Sequence, residues 1–224
     1  MLHWRSAALA SRIVYAAVAL WALALILNLD QGQFSLDGFV FFTSLSNLAC
    51  TVWAVVSLVV TVRDVRREGW RGASSPSPRV AGYVLMSILV TMLIYTIVLI
   101  PTVPPEERFT PEDTVVHVIV PILTLLDWLL FTPKGHQRWF DPLLWAVPPY
   151  LYLGWAFLHH ALGGTFAGRD YPYPFMNVDE IGWGGFFLYV LVLTVALEIV
   201  AYLIHAVDRL LGRRVRRPAE ALAT

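Results

Sequence analysis

The stretch VAGYVLMSILVTMLIYTIVLI, residues 80 to 100, carries no charged side chain and has the length of roughly 20 apolar residues that a helix needs to cross hydrocarbon. Working outward from it, comparable apolar runs occupy residues 9 to 28, 39 to 62, 114 to 131, 142 to 162 and 183 to 207. The composition agrees. Of the 224 residues, 58% are hydrophobic and 14% charged, with a mean hydropathy of +0.64, far from the balance of a soluble domain. The expectation is an all-α polytopic membrane protein, a bundle of six transmembrane helices forming one integral membrane domain over residues 1 to 224. The loops are too short for a second domain. The first run is longer than a signal-peptide core and lacks a small-residue cleavage site, so it reads as a retained span.

Charge placement adds an orientation. With the N-terminus in the cytoplasm, 14 of the 16 basic residues fall on the inner side, from Arg5 and Arg12 through Arg63 to Arg79, Lys134 and Arg138, to Arg209 onward. Only Arg108 and Arg169 fall outside, which is the Lys/Arg bias of a protein with both termini cytoplasmic. Acidic residues lean outward, so zero net charge hides a transverse asymmetry and gives no nucleic-acid surface. Cys50 is the single cysteine and reads as a packed small residue. The Arg-rich, Ser-Pro-rich segment 63 to 79 reads as a solvated connector.

Two polar residues stand out at the same depth in this apolar chain. Thr43 begins the second run, in Phe41-Phe42-Thr43-Ser44-Leu45-Ser46-Asn47, and His117 begins the fourth, in His117-Val118-Ile119-Val120-Pro121. Alternating spans put both in the outer leaflet, about 5 to 8 Å below the helix ends at roughly 1.5 Å per residue. A hydroxyl and an imidazole are the minimum for nucleophile-and-base chemistry. An ionisable residue inside a span faces the protein interior as a rule, and Pro121 has no N–H for the carbonyl of His117. The plain alternatives are a structural histidine and a threonine bonded within its own helix.

Around this pair, Tyr95 shares the depth, Asn47 lies one turn deeper than Thr43, and His159 and His160 end the fifth run. Asn47, Tyr95 and the two histidines are therefore supporting candidates for substrate binding or an oxyanion hole. Adjacent histidines point to different faces and no zinc-type spacing occurs, so no metal or cofactor is expected. Asp127 and Glu198 lie in the inner half of their helices, where acids are costly. They read as partners of His205, Arg209 or Arg138, or as an ion path. The aromatic, proline-rich stretch Arg169 to Phe175 reads as an interfacial anchor or a cover.

Phe42-Thr43 with Ser46-Asn47, His117-x-x-x-Pro121, Asp127-Trp128 and Tyr171-Pro172-Tyr173-Pro174-Phe175 together resemble the androgen-induced superfamily of six-span membrane proteins, particularly its bacterial branch. The resemblance covers most of the chain. It implies an intramembrane hydrolase acting on lipid esters of the type formed between a fatty acid and a hydroxy fatty acid, with Thr43 as nucleophile and His117 as general base. The partners it implies are a lipid or fatty-acyl ester substrate and the surrounding membrane lipids. The rival class is a non-enzymatic small transporter or lipid-binding membrane protein in which Asp127 and Glu198 matter more.

Overall fold

The computed structural model describes residues 4 to 221, with the side chains of residue 107 and of residues 214 to 221 excepted. The described residues are helical and contain no strand. Five helices are long and apolar enough to cross a membrane. They are α1 (Arg5–Ile26), α2 (Phe42–Glu68), α3 (Pro78–Ile94, continued by turns to Thr102), α4 (Pro111–Phe131) and α6 (Val178–Ala221). Between them lies α5 (Val147–Ala161), preceded by a short helix at Asp141–Trp145.

The run at 142 to 162 is the point of departure from the expected six long helices. It folds as pieces of 5 and 15 residues, neither of spanning length alone. Pro148 and Pro149 explain the break, since neither has an N–H to return to the carbonyls of Leu144 and Trp145. Helix bounds also shift. The start near residue 39 becomes a 3₁₀ turn over Asp37–Val40, so α2 begins at Phe42 and Thr43 stands in its first turn. At its far end α2 runs on to Glu68, where Gly69 at φ 80 stops it.

Small residues bring α1 and α2 together. Ala8, Ala16, Ala19 and Ala22 of α1 are buried, and their lack of bulk allows close helix approach where no water drives association. The seam is stitched by hydroxyls. Thr51 donates to the Ala19 carbonyl at 3.0 Å, and the Tyr15 hydroxyl meets Thr124 Oγ1 of α4 at 2.7 Å. Cys50 is fully buried beside them, accepting from Thr124 at 3.5 Å. The opposite extreme is α6, whose Leu188, Leu191, Val195, Ile199 and Leu203 are exposed. Such an apolar outer face matches a lipid-facing helix.

Asp127 is not paired as the sequence suggested. Its carboxylate takes both forks of Arg12, Nε at 2.7 Å and Nη2 at 3.3 Å, with both side chains buried. Arg12 Nη1 donates to Thr61 Oγ1 at 2.7 Å and to the Ser74 carbonyl at 2.9 Å. The expected partners Arg138, His205 and Arg209 are bypassed because α1 packs directly on α4. The ion pair joins three helices here.

Nor is the segment 63 to 79 merely solvated. Arg5 threads into it and donates to the carbonyls of Gly69 at 3.0 Å and Arg71 at 2.6 Å, to Ser74 Oγ at 3.1 Å, and to Glu68. Two buried arginines thus organise this connector from α1. Each satisfies backbone carbonyls that a turn leaves without partners.

Lys134, just past α4, caps that helix by donating to the carbonyls of Trp128 and Thr132, as cations at helix C-termini do. Burial lowers its pKa to about 8, against the raising influence of Asp208 and Asp127. The unfolded chain therefore binds more protons than the folded one between pH 8 and the ordinary lysine range. Stability should rise with pH across that window. Thermal unfolding of the native chain and of Lys134→Met, followed from pH 7.5 to about 10, should show a rise that the variant lacks. Parallel profiles would refute the assignment.

Candidate active site

Two widened helical turns face each other where α3 and α4 meet α2. In α3, residues Tyr95–Leu99 form a π-turn, with the Ile100 amide bonded to the Tyr95 carbonyl. In α4, residues Val115–Ile119 do the same, with the Val120 amide bonded to the Val115 carbonyl. Each is followed by a proline, Pro101 and Pro121, which removes a donor from the regular ladder. Turns of this kind inside α-helices recur at functional sites.

Tyr95 and His117 project from these two turns and stack, with ring centroids 3.9 Å apart and planes 10° from parallel. Phe109 packs edge-on against Tyr95 at 6.1 Å and holds a positive φ of 55°, a conformation unusual for a bulky residue. The stack leaves the edges of the imidazole free. One edge, Nε2, faces Thr43 Oγ1 at 3.4 Å. The other, Nδ1, lies 3.1 Å from the Asp113 carbonyl and 3.6 Å from Asp113 Oδ1.

This arrangement selects a tautomer. A carbonyl only accepts, so Nδ1 carries the hydrogen and Nε2 presents a lone pair to the Thr43 hydroxyl. Asp113 is in turn fixed by Thr110, which caps the helix, receives the Asp113 amide at 3.2 Å and donates to Asp113 Oδ2 at 3.1 Å. The order Thr43, His117, Asp113 is that of a nucleophile, a base and the group that orients the base. Thr43 to His117 is longer than a tight hydrogen bond, as is common where no substrate compresses the site.

Asn47 does not reach this chemistry. Its amide nitrogen donates to the Thr43 carbonyl at 2.9 Å and the Val116 carbonyl at 3.1 Å, so both hydrogens are spent. The second bond follows from the π-turn. Val120 bonds to Val115 and Pro121 has no N–H, which frees the Val116 carbonyl for Asn47. Asn47 thereby pins α2 to α4 at the level of the pair.

His159 and His160 also stand apart. His159 stacks on Trp155 at 5.1 Å and bonds the Thr165 carbonyl at 3.3 Å, while His160 packs on Tyr171 at 4.7 Å. Both fasten the segment 163 to 177 to the end of α5. That segment is folded down, with Phe166, Tyr171, Phe175 and Met176 buried, so its aromatics are packing groups as well as surface ones.

Tyr173, read from the sequence only as part of an anchor or a cover, stands beside Thr43 in the cavity wall. Its ring packs beside Phe41 and Tyr152 at 6.5 and 6.1 Å. Burial raises its phenol pKa, opposed by the neighbouring hydroxyls of Thr43 and Tyr152. The spacing Asp113-x-x-x-His117 was a readable signal for a carboxylate near the imidazole, 3.6 Å from Nδ1, although the atom that Nδ1 bonds is the Asp113 carbonyl. Tyr173 gave none, because a loop residue far along the chain reaches Thr43 only through the tertiary fold.

An apolar cavity opens from Thr43 and Tyr173 and runs between α3, α5 and α6 along Phe42, Val90, Ile94, Leu153, Leu193 and Leu197 to Glu198. His117 stands behind Thr43, outside the lining. No protein-family model, no curated protein and no solved structure matches the chain.

Proposed function

We propose that the chain is an intramembrane hydrolase of a lipid ester, a six-span protein akin to the androgen-induced superfamily. The observation that carries the reading is Thr43 in the wall of an apolar cavity, its hydroxyl facing an imidazole nitrogen whose far side is anchored on the Asp113 carbonyl. In this reading the α5 pieces together make the sixth crossing. An acyl or alkyl chain lies in the cavity and its ester group stays near Thr43.

The chemistry follows from the groups present. His117 Nε2 takes the hydroxyl proton as Thr43 Oγ1 attacks the ester carbonyl, and the carbonyl oxygen becomes an oxyanion. The Tyr173 hydroxyl is the donor placed to meet that charge. Collapse expels the alcohol, which receives the proton from His117, and leaves an acyl-threonine. Water, with His117 again as base, then releases the acid and restores the hydroxyl. Tyr95 keeps the ring in plane by stacking, and Asp113 keeps its tautomer.

The rival reading as a lipid-binding or transport protein predicts the same cavity and no acyl-enzyme. Labelling by a long-chain fluorophosphonate separates them. The native chain should be labelled and Thr43→Ala should not. Absence of labelling in well-folded native protein would overturn the hydrolase reading.

The same proposal places both termini in the cytoplasm of a bacterial cell and the Thr43 level near the outer surface. Asp37, Arg67 and Asp170 are exposed and suit a topology test in a Cys50→Ser background. Asp37→Cys and Asp170→Cys should react with an impermeant maleimide on intact cells, whereas Arg67→Cys should react only after lysis. The opposite pattern would invert the orientation.

A further inference from the structure

Glu198 is the one acid among the residues that line the cavity. Its side chain lines the same cavity as Thr43, and its Oε2 is buried without a hydrogen-bond partner. Asp127, the other acid at this depth of the chain, is fully paired with Arg12. Two hydroxyls of the same cavity wall, on Thr194 and Tyr150, are spent. Thr194 donates to the Val190 carbonyl at 2.6 Å, which leaves Tyr150 to donate to Thr194 Oγ1 at 2.5 Å.

A carboxyl group left this way among apolar side chains is costly. An occupant of the cavity that brings its own polar group removes the penalty. The level of Thr43 on α6 is marked by Tyr189 and Val190, since Phe175 packs on Tyr189 at 6.4 Å and stacks on Tyr173 at 5.5 Å. From Val190 to Glu198 is about 12 Å of helix at roughly 1.5 Å per residue. The two ends of the cavity are thus separated by a largely apolar wall in which the Thr194 and Tyr150 hydroxyls are already bonded.

We infer that the cavity takes a lipid ester whose chain bears a hydroxyl remote from the ester, and that Glu198 binds this hydroxyl. A hydroxyl both donates and accepts, so it satisfies the carboxyl in either protonation form. The inference rests on the hydrolase reading for the position of the ester and adds the identity of the far end. Glu198 is in this sense a specificity residue and touches no reacting atom.

Two probes differ only at that end, dodecyl acetate and ω-hydroxydodecyl acetate. Binding is read as the rise in the unfolding temperature of detergent-solubilised Thr43→Ala, and turnover as kcat/KM of the native chain. The hydroxylated probe should bind about tenfold more tightly, the scale of one hydrogen bond to a charged group. Glu198→Leu should erase that preference while binding dodecyl acetate at least as well, and Glu198→Gln should keep part of it. Preference in binding without any hydrolysis would overturn the hydrolase reading and uphold the Glu198 site. Hydrolysis with no preference, or a preference that survives Glu198→Leu, would overturn the site and leave the hydrolase reading standing.

Discussion

Replacing Thr43 by alanine is expected to abolish cleavage of a long-chain ester, with membrane insertion and unfolding temperature close to native. Thr43 is half-buried in the first turn of α2, where its side chain supports little of the core. His117→Ala should lower kcat by about 10² to 10⁴, the usual range for a positioned base. Thr43→Ser keeps a hydroxyl within reach of Nε2 and should retain part of the rate. Asp113→Asn should have an intermediate effect, since the carbonyl at 3.1 Å from Nδ1 survives the change while the carboxylate at 3.6 Å does not. Initial rates on detergent-solubilised protein give the comparison. Full turnover by Thr43→Ala would remove the nucleophile, and with it the mechanism.

Separating Arg12 from Asp127 should produce the largest loss of stability. Each is buried almost completely, and together they tie α1 to α4, with α2 joined through Thr61. Arg12→Met leaves a buried carboxylate without a partner, and Asp127→Leu leaves a buried guanidinium. Either change should cost about 3 to 5 kcal/mol, the scale seen when one half of a buried ion pair is removed. The double variant should recover part of that, because no charge is then stranded. The recovery is incomplete, since the Ser74 carbonyl also loses its donor at 2.9 Å. Unfolding of all four proteins closes a double-mutant cycle. Single variants within about 1 kcal/mol of native would show that the pair is solvated and of little consequence.

Catalysis and stability are therefore expected to separate in this molecule. The Thr43–His117 pair lies at the level where α2 begins, while the Arg12 and Arg5 clusters hold the other end of α1. Damage to the arginine clusters should lower protein yield, and damage to Thr43 or His117 should lower rate alone.

The sequence by itself determined the helical class and the long apolar helices, because hydrocarbon admits few ways to satisfy a backbone and the residues near position 90 contain nothing else. It also singled out Thr43 and His117, since a polar group in an apolar run is conspicuous by composition. The broken α5 was legible in Pro148-Pro149, and the presence of a carboxylate beside His117 in the spacing of Asp113. Only the tertiary structure decided which helices touch. Depth along a helix follows from counting residues, but the direction in which a side chain points across a bundle depends on packing between segments far apart in the chain. For that reason Asp127 met Arg12 instead of Arg138, His205 or Arg209, and Asn47 spent its amide on a carbonyl that the π-turn had freed. His159 and His160 turned to the loop, Tyr173 arrived beside Thr43 from a distant segment, and Glu198 Oε2 was left in the cavity wall without a partner among the described residues.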